Sequence, residues 1–355
     1  MEVATSPLVS FAIPTYNFGN FIAETVESIT KGAEILRWDQ FEIVILDGGS
    51  TDNTERVVLG LVRKFPNIRY TRQSARGGID RDMDKVASST RGKYIWLFSA
   101  DDVLQRGWDR LLLPTLVSEK SDIVLVPAVL CDLQMATLRK NPIFRADTNG
   151  AVEFRFTPEG GTVESYLRAA VTLEAVFSYM SSIIVKAEVW RGLRTRADFF
   201  GSCWAHCAKL MPLLFMRTTF TYLNLFLIRK RSGNDSFMAN GLIARIGIAV
   251  DGWDRIIQEF FTDSAQQELL YAALRRDMPI PLFIYAKISA RNRVELQRLN
   301  GIARLLYTER SVSKSAMRKY FVFRLIPASA TLNLLLKPIL PAIIRARHMV
   351  RAALG

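Results

Sequence analysis

The sequence predicts an α/β fold, a doubly wound and mostly parallel sheet followed by a C-terminal helical extension. Three observations carry that prediction. From residue 8 onward, short apolar runs of strand length alternate with amphipathic runs of helical length. The run 93–98 (Lys-Tyr-Ile-Trp-Leu-Phe) is apolar or aromatic at five of six positions with no period-2 alternation, the pattern of a strand buried on both faces. Each of the leading strands ends in a polar or glycine-containing turn, and the central one runs through Ser99-Ala100 into Asp101-Asp102. In open α/β sheets the ligand crevice lies beyond the carboxyl ends of the strands, so these turns mark the expected site.

Taken in order, residues 8–13 form a first strand that stops at Pro14-Thr15-Tyr16-Asn17, and a helix follows over about 20–31, where Ile22, Val26 and Ile29 share one face. A second strand at 41–46 leads through Asp47-Gly48-Gly49-Ser50-Thr51-Asp52 into a helix at 55–64, with Ser50 or Thr51 as its N-cap. A third strand, 68–72, passes through Gly77-Gly78 to a short helix at 80–87, whose first turn is rich in Asp and so suits the helix dipole. After the central strand come a helix near 107–117 and a strand at 122–126. Residues 131–156 read as hairpins and loops, 163–170 as a helix, 182–185 as a strand completing the sheet, 204–216 as a helix and 219–228 as a further strand. Helices are expected at 243–261, 266–276 and 294–306. The expected organisation is a nucleotide-binding and catalytic domain over 1–236, a helical subdomain over 237–312, and a basic, apolar tail over 313–355.

Composition narrows the function. The 355 residues are 49% hydrophobic and 23% charged, enough for a sizeable core and against disorder. The net charge of +13 favours an anionic partner. Cys131, Cys203 and Cys207 are an odd set without CxxC or Cys/His ligand spacing, which argues against a disulfide framework or a zinc site and for a reduced, cytoplasmic setting. No signal peptide and no clean charge-free spanning run are expected.

The loops sharing the edge with Asp101-Asp102 supply what a nucleotide needs. Tyr16 offers an aromatic face, Asp47 and Asp80 offer acceptors, and glycines allow the backbone to approach closely. Two adjacent acids at a strand end suit a hard divalent cation held against a diphosphate.

These stretches carry a resemblance. Val9-Ser10-Phe11-Ala12-Ile13-Pro14-Thr15-Tyr16-Asn17, Asp47-Gly48-Gly49-Ser50-Thr51-Asp52 and Ser99-Ala100-Asp101-Asp102 resemble the three ordered motifs of family 2 glycosyltransferases with the GT-A fold. Gly78-Ile79-Asp80-Arg81-Asp82, Gly201-Ser202-Cys203-Trp204-Ala205-His206 and Gly233-Asn234-Asp235-Ser236-Phe237 are similar to its abequosyltransferase-like branch, which builds bacterial O-antigen polysaccharide. The resemblance implies transfer of a hexosyl or deoxyhexosyl group from a CDP-, UDP-, GDP- or dTDP-sugar to a hydroxyl of a growing, polyprenyl-diphosphate-linked oligosaccharide. It implies Pro14 and Tyr16 beside the nucleobase, with Asn17 in the same loop, and Asp47 and Asp80 on base or ribose. Asp101 would ligate Mg²⁺ or Mn²⁺ with Asp102 beside it, and Arg81 with Arg76 would add charge stabilisation.

Three departures from the family pattern bear on that reading. Gly48 stands where many relatives have a second Asp, which removes one base-reading carboxylate. Ser99 replaces the first acid of Asp-x-Asp. Ser202-Cys203 falls where inverting members carry Glu-Asp, so the general base would pass to Asp198 or His206, with Asp198 preferred, unless the reaction retains configuration and the leaving phosphate takes the proton.

The stretch 320–351 mixes aliphatics with Lys and Arg and is broken by Pro327, Pro338 and Pro341, as suits an anionic membrane interface and a peripheral place on the inner face of the cytoplasmic membrane. A nucleic-acid binder is disfavoured because the best loop cluster is acidic. A sugar nucleotidyltransferase is disfavoured because strand one lacks the expected Gly-rich, Lys-containing loop.

Overall fold

The computed structural model describes residues 6–145 and 150–327. They divide into two compact units. One runs to Ala170 and resumes over Glu174–Asn234; the other takes Val171–Leu173 and continues from Asp235.

The first unit contains β1 (Val9–Thr15), α1 (Ile22–Gly32), β2 (Phe41–Asp47), α2 (Thr54–Lys64), β3 (Ile68–Arg72), α3 (Ile79–Ser88), β4 (Tyr94–Leu97), β5 (Val103–Leu104), α4 (Trp108–Ser118), β6 (Ile123–Leu125), β7 (Ala128–Cys131), β8 (Thr137–Asn141), β9 (Ala151–Phe156), α5 (Gly161–Ala169), β10 (Ile183–Lys186), α6 (Ala187–Gly192), α7 (Ala205–Leu210), β11 (Thr218–Leu223) and β12 (Ile228–Arg231). An eight-stranded sheet has the order β3-β2-β1-β4-β10-β6-β11-β9, and a four-stranded sheet the order β5-β12-β7-β8. β3, β2, β1 and β4 are parallel, whereas β10 runs antiparallel to both β4 and β6.

The inner parallel strands β2, β1 and β4 are buried along their whole length, and this is why they read as mainly apolar runs, whereas the edge strand β3 is partly exposed. At the centre, Phe11 stacks on Trp96 at 5.1 Å and meets Trp108 edge-on at 5.2 Å. Both indoles are closed to solvent yet satisfied: Trp96 Nε1 donates to Ser181 O at 2.7 Å and Trp108 Nε1 to Ile29 O at 3.1 Å. Truncating either ring to Ala would cost about 3–5 kcal/mol.

Several expectations change. The helix expected over 204–216 ends at Leu210 and continues as a 3₁₀ turn, Met211–Phe215, because Pro212 lacks an amide donor and crowds the preceding turn. The strand expected over 219–228 is two strands in different sheets, β11 and β12. α2 begins at Thr54 with Asn53 at the N-cap position, and the preceding Asp52 accepts from Thr54 N at 2.9 Å; the Ser50 hydroxyl instead accepts from Asn17 N at 2.8 Å.

The second unit is helical: α8 (Leu242–Phe260), α9 (Ser264–Asp277), α10 (Ile280–Ile288), α11 (Arg293–Arg304) and α12 (Lys314–Leu325). Asp263 caps α9 through Ala265 N at 2.7 Å, and Asn292 caps α11 through Glu295 N at 2.9 Å. The expected tail thus begins as a packed helix: α12 buries Ala316 and Phe323, and Lys287 Nζ donates to Phe323 O at 2.9 Å. Residues 328–355, which hold most of the expected interfacial segment, lie outside the described residues. Among the described residues no helix is long and apolar enough to cross a membrane.

Candidate active site

Register brings the three motif loops to one edge. Thr15 pairs with Asp47 and Ala12 with Leu97, so the ends of β2, β1 and β4 stand side by side. Pro14 is buried in β1 beyond the last residue paired with β4, where a missing amide donor interrupts no ladder. The β1 and β2 loops are stitched together by Asn17, which takes a left-handed conformation at φ 58°. Its Oδ1 accepts from Thr51 N at 2.7 Å, and Gly48 N donates to Thr15 O at 2.8 Å. Tyr16 is half-buried, with the Arg76 guanidinium 4.4 Å above its ring.

The acidic residues divide by what they hold. Asp47 is closed to solvent; Oδ1 accepts from Ser50 N at 2.7 Å and Oδ2 from Tyr70 Oη at 2.8 Å. Burial, then that bond to Asp47, push the Tyr70 phenol well up. Asp80, buried in the first turn of α3, accepts from Gly201 N at 2.8 Å, Cys203 N at 2.9 Å and Ala205 N at 3.1 Å. In this structure the oxygens of Asp47 and Asp80, expected beside base or ribose, hold the 47–50 turn and the 201–205 segment. The Arg81 guanidinium lies 5.0 Å from the Phe200 ring centre.

The Asp101-Asp102 pair is asymmetric. Asp102 is the more deeply buried; Oδ2 accepts from Tyr179 Oη and from Ser181 Oγ at 2.6 Å, and Oδ1 from Arg231 N at 3.2 Å. Burial, then the charge of Asp101, push the Asp102 carboxyl up to about 7. Asp101 accepts from Ser99 Oγ and from Asn234 Nδ2, the latter at 2.6 Å. Arg231 Nε donates to Asp101 O at 3.0 Å, and its guanidinium also reaches Leu133 O and Glu24. Asp102 therefore anchors the turn, and Asp101 is the less enclosed carboxylate of the pair. Tyr179, Ser181 and Arg231 escape sequence reasoning because they are 77 or more residues from Asp102; Asn234 had a signal, the Gly-Asn-Asp-Ser run after the last strand.

Among the described residues no three His, Cys, Asp or Glu side chains converge as a metal cage. Two adjacent carboxylates at a strand end still fit a hard cation that is shared with substrate phosphates, the usual manner of Mg²⁺ binding.

The two base candidates lie apart from this pair in character. Asp198 is exposed and held bidentately by Arg196, at 2.9 and 2.6 Å. His206 Nε2 donates to Phe177 O at 3.1 Å, and burial holds the imidazole below its ordinary pKa, in the neutral form. Beside it, Lys209 is buried with Asp84 at 2.6 Å.

Comparison with known proteins fits this architecture. The glycosyl transferase family 2 model matches residues 10–169. An abequosyltransferase of Salmonella typhimurium is 32% identical over 260 residues, covering 72% of this chain and 76% of that protein. S. aureus TarS 1–349 superposes with a TM-score of 0.55 at 14% identity, covering 89% of this chain and 88% of that one. A mannosyltransferase from Pyrobaculum calidifontis, in complex with GDP-Man and Mn²⁺, gives 0.52 at 15% identity over 97% and 86%. The mixed sheet and its carboxylate-bearing edge are those of a GT-A glycosyltransferase. The chain belongs to glycosyltransferase family 2, in its abequosyltransferase-like branch.

Proposed function

We propose that this glycosyltransferase moves a sugar, hexosyl or deoxyhexosyl, from a nucleoside-diphosphate sugar to a hydroxyl of a growing bacterial surface glycan carried on a polyprenyl diphosphate. The observation that carries the reading is the Asp101-Asp102 turn at the carboxyl end of β4, held by Tyr179, Ser181 and Arg231 beside the ends of β1 and β2. Asp101, with Asp102 behind it, would hold Mg²⁺ or Mn²⁺. When bound, that cation neutralises charge developing on the departing diphosphate. Tyr16 with Arg76 would flank the base, Asn17 and Asp47 would keep the two loops in register, and Asp80 would fix the 201–205 turn on the acceptor side. In this reading the first unit is the catalytic one.

The helical unit would meet an anionic leaflet on the cytoplasmic side. No Asp or Glu follows Glu309, while Lys314, Arg318, Lys319 and Arg324 lie on α12. Opposite its buried Ala316 and Phe323, α12 presents Met317, Phe321 and Leu325, spaced four apart, with Phe321 63% and Leu325 66% exposed. Cations interleaved with apolar side chains on one helical face suit the headgroup boundary of an anionic bilayer.

Calorimetric titration with CDP-, UDP-, GDP- and dTDP-sugars, with and without Mn²⁺, tests the donor reading. Metal-dependent binding of one of them is expected. Absence of binding by all four would defeat it.

A further inference from the structure

We propose that Asp82 supplies, from helix α3, the carboxylate that reads the nucleobase edge in the donor crevice, occupying the space that a side chain at position 48 would take. The inference rests on the nucleoside-diphosphate-sugar reading above and adds to it a recognition residue.

Gly48 follows the last residue of β2, and its amide is bonded to Thr15 O, so it lies where the β1 and β2 ends meet. Gly49 has a left-handed φ of 83°, but Gly48 does not have a backbone conformation that excludes other residues. What excludes a side chain there is Asp82: a Cβ on Gly48 would stand 2.6 Å from Asp82 Oδ2, while its next contact outside that carboxylate, Thr15 O at 3.6 Å, is ordinary. A Cβ on Gly77 would likewise stand 2.4 Å from Asp82 Oδ1. Two glycines on two loops thus leave room for one carboxylate arriving from a third element.

That carboxylate is only half satisfied. Asp82 is 4% exposed; Oδ1 accepts from Gln73 Nε2 at 2.5 Å, and among the described residues Oδ2 accepts no hydrogen bond. Oδ2 is therefore open to accept a hydrogen bond from a ligand N–H. Burial pushes the Asp82 carboxyl up, against the pull of Gln73 and of the Lys85 and Arg76 charges. The neighbouring residues complete a base site. Gln73 N is bonded to Asp47 O, and Arg76 lies over the Tyr16 ring one residue after Thr15. The ligand class is a nucleobase presenting a ring N–H or an exocyclic amino group toward Oδ2, stacked near Tyr16.

The test is titration of full-length protein with UDP, CDP, GDP and dTDP, in Mn²⁺, for wild type, Asp82→Asn, Gly48→Asp and the double variant Gly48→Asp/Asp82→Ala, with thermal melts confirming that each is folded. For the diphosphate that wild type prefers, Asp82→Asn should weaken binding roughly 10–100-fold, the loss of a hydrogen bond to a charged group, and should narrow its margin over the other three. Gly48→Asp alone should also bind poorly, because two carboxylates then compete for one space. The double variant should recover most of the affinity. Unchanged binding in Asp82→Asn, equal losses for all four diphosphates, or failure of a folded double variant to recover would overturn the assignment. If wild type binds none of the four, the donor reading itself fails, and this inference with it.

Discussion

Asp80 Oδ2 lies 2.8 Å from the amide of Gly201, 121 residues away, and the same carboxylate gathers Cys203 N and Ala205 N. Gly201 and Cys203 both have left-handed backbones, at φ 94° and 72°. For Cys203 that conformation is strained, and the three bonds to Asp80 hold it. Asp80→Ala should therefore lower stability by about 2–3 kcal/mol and reduce turnover on the order of 10²-fold through misplacement of the 201–206 segment. Donor affinity should remain. Equal losses in donor Kd and in turnover would contradict a role confined to that segment.

Asp101→Ala removes a carboxylate at the sheet edge and little core volume. Metal-dependent donor binding and activity should vanish while the melting temperature stays within a few degrees of wild type. Calorimetry in Mn²⁺ and in EDTA separates these quantities. Unchanged turnover at saturating metal would remove Asp101 from the ligand role.

His206 gives a pH signature. Burial lowers its pKa in the folded chain below the ordinary 6.5, so as pH falls through 6.5 the unfolded chain takes up a proton that the folded chain refuses. The unfolded state then binds more protons, and stability falls with falling pH, down to the lowered folded pKa. The stabilising effect is fully present above pH 6.5. Denaturant melts at pH 7.5 and 5.5 should show a smaller acid loss in His206→Gln than in wild type. An identical loss would mean that other groups set the acid limit.

Asp198 is exposed and paired with Arg196 at both oxygens. Asp198→Asn is expected to lower turnover by less than about tenfold, because a carboxylate so held is poorly placed to take the acceptor proton. A loss of 10²–10⁴, with NMR of the product showing inverted anomeric configuration, would instead establish Asp198 as the base.

On α12, Phe321→Glu/Leu325→Glu alters only exposed positions. Sedimentation with phosphatidylglycerol vesicles should fall on the order of tenfold or more, with UDP, CDP, GDP and dTDP binding unchanged. Retained sedimentation would move membrane contact elsewhere in the chain.

By itself the sequence determined what depends on local pattern. Apolar runs placed β1, β2 and β4, and glycine or Asp turns placed the loops near their carboxyl ends, because a doubly covered strand and a tight turn each leave a signature within ten residues. The motifs in those loops were sufficient for the family. Tertiary structure decided which carboxylates remain available. Asp47, Asp80, Asp82, Asp101 and Asp102 read alike as acids near strand ends, yet one is tied to Tyr70, one to the amides of 201–205, one fills the gap left by Gly48 and Gly77, and one is fastened by Tyr179, Ser181 and Arg231. The same holds for the split between β11 and β12 and for the outward face of α12. A hydrogen-bond partner or a covering element tens of residues away leaves no periodicity in the chain, so only packing could assign these roles.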